Sequence, residues 1–354
     1  MRVPQASEAA LSERPRAQSI LVLGALASVL AGLILAGFGL GAVAIPPSAV
    51  FDVLLGAGSD VDRAILIEIR APRILLGLAV GATLALSGAS LQGLLRNPLA
   101  DPGLIGVTSG AALGAVVVLV FGASLAAGLP SAVAPFALPA AAFVGAVAVI
   151  TLLFALARRA GETSVATLIL AGVAINAIAG AAIGFAQYVS DDTQLRDLTF
   201  WLLGGLGGAG WPLVLAASVL ALATVPLFLA HTRALDLFQL GERAAFHAGV
   251  DVERAKRWLA FATALGVGGA TAAAGPIGFI GLVAPHLARL LVGPTHRLLL
   301  PTAALMGMVL VLAADLAVRS VVPPAEPPIG LATSLIGGPF FLWLLLYNLR
   351  RFHA

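Results

Sequence analysis

Side chains able to do chemistry are sparse in this 354-residue chain, and none is grouped as a catalyst would require. Lys256 is the single lysine and stands outside any Gly-rich loop. Without a G-x-x-x-x-G-K-[ST] segment the chain cannot cradle ATP phosphates in that way, so ATP-driven work must fall to a separate subunit. H-E-x-x-H and G-x-S-x-G are absent, and the five histidines are dispersed. There is no cysteine, hence no disulfide, thiolate metal site or redox pair. Neither enzyme activity nor a resident metal is expected. One acid, Asp315, sits near the interior of an apolar run, and an intramembrane acid is a functional candidate by default. It suits either proton coupling or an i,i+4 ion pair with Arg319.

A second polar feature is the knot Arg96-Asn-Pro-Leu-Ala-Asp-Pro102. Residues 74–95 before it carry no charge, and none follows from Pro102 to Ala157. Bare loop backbone is not tolerated in lipid, so the knot must reach water or buried polar partners. Asp101-Pro102 reads as a helix start, with Asp as N-cap and Pro at the first helical position.

The elements around these residues are membrane spans. The chain is 60% hydrophobic and 10% charged, with mean hydropathy +1.04, where soluble domains carry about 25% charge. The pI near 10.1 does not signal nucleic acid, because the net charge is only +3 and the arginines are scattered among loops. Runs of about 20 apolar residues cross a bilayer as helices. They predict an all-α membrane protein with ten spans, some short or broken, near 18–45, 74–95, 103–122, 136–157, 165–188, 211–230, 258–274, 286–293, 300–318 and 329–349. Residues 1–17 form a polar tail, and 18–354 a single ten-span transmembrane domain. The first run is too long for a signal h-region and is expected to stay uncleaved. Residues 48–73 read as a mixed-charge loop with room for a short surface helix, and 198–210 as a short or re-entrant helix. Gly106, Gly110 and Gly114 make a smooth face for close helix packing. Of 20 basic residues, 15 fall on the side of the termini, which places both termini in the cytoplasm.

The pattern suits a conduit, because irregular backbone at membrane depth is tolerated only when buried or lining a cavity. Such backbone is expected at 275–285 and 337–339, where Gly and Pro cluster. A proton- or sodium-driven secondary transporter is the alternative. It would need midplane carboxylates, in which the chain is poor apart from Asp315.

Several long motifs, in order, resemble the permease subunits of ABC importers for iron-siderophores, haem and cobalamin. They are Arg70-Ala-Pro-Arg73; Gln92-Gly-Leu-Leu-Arg-Asn-Pro-Leu-Ala-Asp-Pro-Gly-Leu-Ile-Gly-Val-Thr-Ser-Gly110; Leu240-Gly-Glu242; Gly275-Pro-Ile-Gly-Phe-Ile-Gly-Leu-Val-Ala-Pro-His286; and Pro328-Ile-Gly330 with Thr333, Gly337 and Pro339. The match runs from about Arg70 to the C-terminus. The knot together with Phe200-Trp201-Leu-Leu-Gly-Gly is most similar to haem-importing members, ahead of ferric siderophore and then cobalamin members.

The resemblance implies a homodimer in a bacterial inner membrane. It implies two cytoplasmic ATPase subunits carrying ATP and Mg, and a periplasmic binding protein. Residues 231–257, at the third inner loop, resemble the segment that couples to the ATPase through two short helices, with Leu240, Gly241, Glu242, Arg243, Ala245 and Gly249 in its pattern. Arg70, Arg73 and Arg319 match positions that receive Glu side chains of the binding protein. Pathway candidates are Asn176, Gln187, Tyr188, Thr333 and Ser334, each equally suited to a helix–helix hydrogen bond. The inner gate is expected at Ser164, Val165, Ala166 and Thr167. Arg96, Asn97, Pro98, Asp101 and Pro102 are expected to form a structural elbow.

Overall fold

Glycine and alanine decide how the helices stack. The computed structural model describes residues 6–41, 43–122, 128–159, 162–321 and 326–352. Helix α1 is Ala6–Gly39, and two short helices follow, α2 Pro47–Leu54 and α3 Asp60–Ala64. The long helices are α4 Ala71–Leu95, α5 Val107–Phe121, α6 Ala137–Ala157 and α7 Val165–Val189. Helix α8 is Asp192–Leu202 and α9 is Trp211–Ala230. Short helices α10 Thr232–Phe238 and α11 Glu242–His247 precede α12 Val252–Ala274. Then come α13 Ile280–Val292, α14 His296–Val321 and α15 Ile329–Phe352. The only strands among the described residues are a two-residue antiparallel rung, Arg158–Arg159 against Glu162–Thr163.

Helix α4 is the core element. It is apolar all round, and such a helix belongs inside a bundle. It packs against α9, α12, α13 and α14, and most of its surface is buried. Two crossings set its position. A Cβ built on Gly81 would lie 2.5 Å from the carbonyl oxygen of Gly307 on α14, and one on Gly88 only 1.9 Å from that of Gly281 on α13. Small residues let backbones meet this closely where lipid supplies no hydrophobic drive. Replacing Gly88 by Ala is therefore expected to force α4 and α13 apart and to cost about 1–3 kcal/mol. Gly24→Ala on α1, where a Cβ meets nothing within 4 Å, is the neutral control. Thermal unfolding of both variants in detergent checks this, and equal melting would contradict the packing argument. The glycine face on α5 behaves as expected at Gly110 and Gly114, whose added Cβ atoms would strike the Gly145 and Ala141 carbonyls of α6.

Prolines inside helices are absorbed more often than the sequence suggests. Residues 60–95 form one continuous helical run, so most of the expected mixed-charge loop is helix. Pro72 has no N–H to give, and a π turn over Ile65–Arg70 precedes it. In that register the carbonyl left without a donor is that of Ile67, which accepts instead from Trp211 Nε1 at 3.0 Å. Helix α13 begins at Ile280, earlier than the expected 286, and carries Pro285 inside it. The carbonyl that Pro285 leaves free belongs to Gly281, and Gln92 Nε2 of α4 donates to it at 3.3 Å. The backbone is irregular at 275–279, with Gly275 and Phe279 at φ 67° and 68°. The expected break at 337–339 is absent, since α15 runs straight through Pro339.

Other boundaries shift too. The apolar stretch after residue 198 ends a helix that starts earlier, at Asp192, under a capping box of Asp191 with Gln194. Among the described residues, six helices are long and apolar enough to cross a membrane: Gln18–Gly39, Asp60–Leu95, Ala134–Ala157, Val165–Val189, Trp211–Ala230 and His296–Val321. Shorter apolar helices occur at Val107–Phe121, Ile280–Val292 and Ile329–Leu342.

Candidate functional site

Three polar centres interrupt the apolar bundle. The first joins α4 and α14 at the end where Pro328 leads into α15. Asp315, 1% exposed, accepts from Arg73 Nε at 2.8 Å and pairs with Arg73 Nη2 at the same distance. Its other oxygen lies 3.1 Å from Arg319 Nε, an ion pair whose angle does not make a hydrogen bond. Arg73 also pairs with Glu326, and Arg319 Nη1 reaches the Leu40 carbonyl at 3.4 Å. Arg70 donates to the carbonyls of Phe38 and Val43. The three arginines expected to receive an outside partner are thus together, but all are buried and internally engaged. Of the two roles open to Asp315, the ion pair with Arg319 is present, and Arg73 joins it from a helix 242 residues away. Beside this network, Arg73, Trp201, Gly205, Ala274, Glu326 and Pro328 help line a cavity of about 260 Å³.

The second centre is the knot. Arg96 ends α4 in the left-handed conformation, φ 50° and ψ 37°. Asn97 Oδ1 accepts from Leu99 N–H at 2.9 Å, and Asp101 Oδ1 from Gly103 N–H at 2.8 Å. Asp101 therefore heads a turn. Helix α5 starts only at Val107, with Gly106 before it, which corrects the expected start at Asp101-Pro102. Asx side chains compete for nearby N–H groups in this way. Asn176 of α7 locks the turn from the side: its Nδ2 donates to the Gly103 carbonyl at 3.0 Å and its Oδ1 accepts from Ser109 Oγ at 2.7 Å. Gln92 is held by Arg289 Nη2 at 3.0 Å. Arg96, Asn97, Pro98 and Arg289 line a cavity of about 200 Å³ next to the coupling-like segment.

Asp101 keeps some surface, but its Oδ2 is packed under Gly281. Burial pushes this carboxyl up from 3.8 to about 6, against the opposing hydrogen bond from Gly103. The folded chain thus holds the proton more tightly than the unfolded one. Stability from this group is greatest below pH 4 and is lost as pH climbs to about 6. Asp101→Asn keeps the Oδ1 acceptor and removes the charge. It is expected to match the wild type at pH 4 and to exceed it by on the order of 2 kcal/mol at pH 7.5. Melting temperatures at the two pH values check this, and a gap independent of pH would refute it.

The third centre is built on residues 231–257. Two short helices do form here, α10 and α11, joined through Gly241 at φ 105°. Gly249, at φ 84°, turns the chain towards Asp251, which caps α12. The last residues of the segment belong to α12, so it ends earlier than its charge pattern implies. Helix α10 is fastened by Asp236, whose Oδ1 lies 2.7 Å from His296 Nδ1, and by Gln239 Nε2 donating to the Gly93 carbonyl at 2.9 Å. Ala245 is buried, whereas Leu240 and Phe246 are exposed apolar residues on a charged segment. Arg243 is exposed beside them.

Lys256, the one lysine of the chain, is the hub of this centre. Its side chain is 3% exposed, and Nζ donates to Glu242 at 2.7 Å, to the Thr163 carbonyl at 3.0 Å and to Glu253 at 3.2 Å. Glu253 accepts from Thr163 N–H and Oγ1 at 3.1 and 2.8 Å. Burial works against the Glu253 carboxylate, but the Thr163 hydrogen bonds and the Lys256 ammonium outweigh it and hold its pKa below the usual range. Thr163 leads directly into the expected gate. Ser164 caps α7, accepting from Thr167 N–H at 3.3 Å; Ser164, Ala166 and Thr167 are exposed and Val165 half-buried.

The remaining pathway candidates diverge. Tyr188, 86% exposed, and Ser334 lie on open faces of α7 and α15, Gln187 is half-buried, and Thr333 is buried with its hydroxyl on the Gly330 carbonyl. Asn176 is engaged with the knot, so it serves packing in this arrangement.

The fold and these centres have known counterparts. The profile of the FecCD transport family matches residues 29–347, and the chain belongs to that family. It is 46% identical to the hemin transport system permease protein HmuU of Yersinia pestis over 94% of this chain and 97% of that one. It is 44% identical to the cobalamin import system permease protein BtuC of Halobacterium salinarum, over 81% and 74%. It is 37% identical to the iron(3+)-hydroxamate import system permease protein FhuG of Bacillus subtilis, over 87% and 91%. Among solved structures, an inward-facing metal-chelate type ABC transporter superposes with a TM-score of 0.80 at 33% identity, covering 92% of this chain and 99% of its own. The chain is thus a multi-pass membrane permease of the ABC-importer class, and its relatives are transport subunits and not enzymes.

Proposed function

We propose that the chain is the permease of a binding-protein-dependent importer that moves haem from periplasm to cytoplasm. The observation that carries this reading is the 46% identity to a hemin permease, sustained over nearly the whole of both chains. Ferric siderophores and then cobalamin are the competing cargoes, in keeping with the relatives named for them. In this reading ten helices span a bacterial inner membrane, namely α1, α4, α5, α6, α7, α9, α12, α13, α14 and α15. Residues 1–17 and the C-terminus lie in the cytoplasm. The chain works as a homodimer, and the open faces of α7 and α15, which carry Tyr188 and Ser334, meet across the pathway, with Asn176, Gln187 and Thr333 set behind them. Two partner ATPases carry ATP and Mg and press on α10 and α11, where exposed Leu240 and Phe246 beside Gly241, Glu242, Arg243, Ala245 and Gly249 offer an apolar foothold. The residues from Ser164 to Thr167 form the inner gate. The binding protein docks at the opposite end, and Arg70, Arg73 and Arg319 support that mouth by holding the ends of α1, α4 and α14 together. Arg96, Asn97, Pro98, Asp101 and Pro102 serve as the elbow between α4 and α5.

The test is direct. The periplasmic protein encoded with this permease is titrated with haem, a ferric hydroxamate and cobalamin, and the loaded forms are offered to proteoliposomes holding the permease and its ATPase. Haem is expected to bind most tightly and to be taken up only with ATP. Tighter binding and uptake of either other ligand would replace haem, and uptake driven by an ion gradient without ATP would replace the importer.

A further inference from the structure

Between α6 and α12 runs an apolar groove of about 410 Å³, lined among others by Phe143, Val147 and Phe154 of α6 and by Ala260 and Ala264 of α12. Thr151 also lines it, but its hydroxyl is spent on the Val147 carbonyl at 2.7 Å, so the walls are apolar in effect. The one charge in the groove is Arg257, at the end where α6 finishes and α12 starts. Arg257 is exposed and makes no ion pair among the described residues; only its Nε is engaged, on the Glu253 carbonyl at 3.4 Å. Trp258, half-way out of the protein and edge-on to Phe261 at 5.9 Å, stands beside it. Trp is characteristic of the headgroup level of a bilayer.

The dimensions match one lipid leaflet. From Phe143 to Phe154 the groove follows about three turns of helix, about 17 Å, and half of a hydrocarbon core of about 30 Å is about 15 Å. The groove thus starts at the headgroup level and ends near the midplane. Basic residues between spans on the cytoplasmic side suit anionic headgroups, and that leaflet is rich in them. We propose that this groove holds an acyl chain of an anionic phospholipid whose phosphate pairs with Arg257. The inference rests on the proposed membrane topology and is independent of the cargo.

Native mass spectrometry of the detergent-purified chain tests it. Dioleoyl phosphatidylglycerol and dioleoyl phosphatidylcholine, which share their acyl chains, are titrated separately, with inorganic phosphate as competitor. Phosphatidylglycerol is expected to be retained at least tenfold more strongly, and inorganic phosphate to leave it in place. Arg257→Gln, an exposed substitution that should fold normally, is expected to reduce retention to the phosphatidylcholine level, and Arg257→Lys to preserve most of the preference. Val147→Trp, which fills the groove, is expected to abolish retention of both lipids. Equal retention of the two lipids by the wild type overturns the proposal. So does displacement by inorganic phosphate, or a preference that survives either Arg257→Gln or Val147→Trp. Loss of haem transport would bear on the importer reading and not on this one.

Discussion

Replacing Asp315 by Asn is expected to damage this protein more than any other single change. Asp315 is buried and is the shared partner of Arg73 and Arg319, with Arg70 close by on the same helical run. The substitution leaves shape and volume almost unchanged and removes only the charge. Two buried guanidiniums then lose their shared carboxylate, and among the described residues only Arg73 keeps an ion pair, with Glu326, which is 45% exposed. Breaking a buried pair by removing one partner costs about 3–5 kcal/mol, because the other charge stays desolvated. Low membrane yield and a sharply lower melting temperature in detergent are expected. The double variant Asp315→Asn with Arg319→Gln restores the charge balance and should recover part of the loss. If the double variant is as unstable as the sum of the two single ones, the coupling is absent and the network is not what holds α4 to α14.

This network also marks where the sequence stops being readable. The existence of long apolar helices follows from composition alone, because lipid leaves the backbone few alternatives. Arg319 four residues after Asp315 is a local pattern and was legible as an ion pair. Arg73 is 242 residues from Asp315, and no local pattern announces that contact. The docking role expected of the arginines says nothing of these internal contacts, which only the fold supplies. Helix ends were missed for a different reason. Asp101 fits an N-cap by type, but its carboxylate closes on Gly103 two residues ahead, and the helix waits until Val107. Pro285 and Pro339 read as breaks and Pro72 fell within an expected loop, yet helix continues through or beside all three. Where the accepting carbonyl was stranded, a side chain from another helix supplies the donor: Trp211 to Ile67 and Gln92 to Gly281. Such rescue is a property of neighbours in space. Only Gln92 lies within a recognisable motif, and nothing in that motif says which carbonyl it serves.

Lys256→Met should uncouple the machine. The methylene stem is kept, so the packing of α12 changes little, but three acceptors lose their common donor. Glu242 begins α11, Glu253 stands in the first turn of α12, and Thr163 precedes the cap of α7. One ammonium thus ties α11, proposed above to face the ATPase, to α7, whose start is the proposed inner gate. The two carboxylates are partly exposed and can rehydrate, so the stability loss should be about 2 kcal/mol, below that for a fully buried pair. The functional loss should be larger. A movement of α11 can reach α7 only through contacts that persist as it moves, and a charged hub with three partners is stronger than neutral hydrogen bonds. In proteoliposomes with the partner ATPase, ATP hydrolysis is expected to continue while cargo moved per ATP falls at least tenfold. Lys256→Arg, which keeps the charge, should retain more transport, and Thr163→Val should give an intermediate loss by freeing Glu253 from the cap region. A Lys256→Met protein that melts lower yet moves the same cargo per ATP would show that the hub only fastens the fold. The same stoichiometry in Thr163→Val would show that the Thr163 hydroxyl adds nothing to a link carried by its backbone groups.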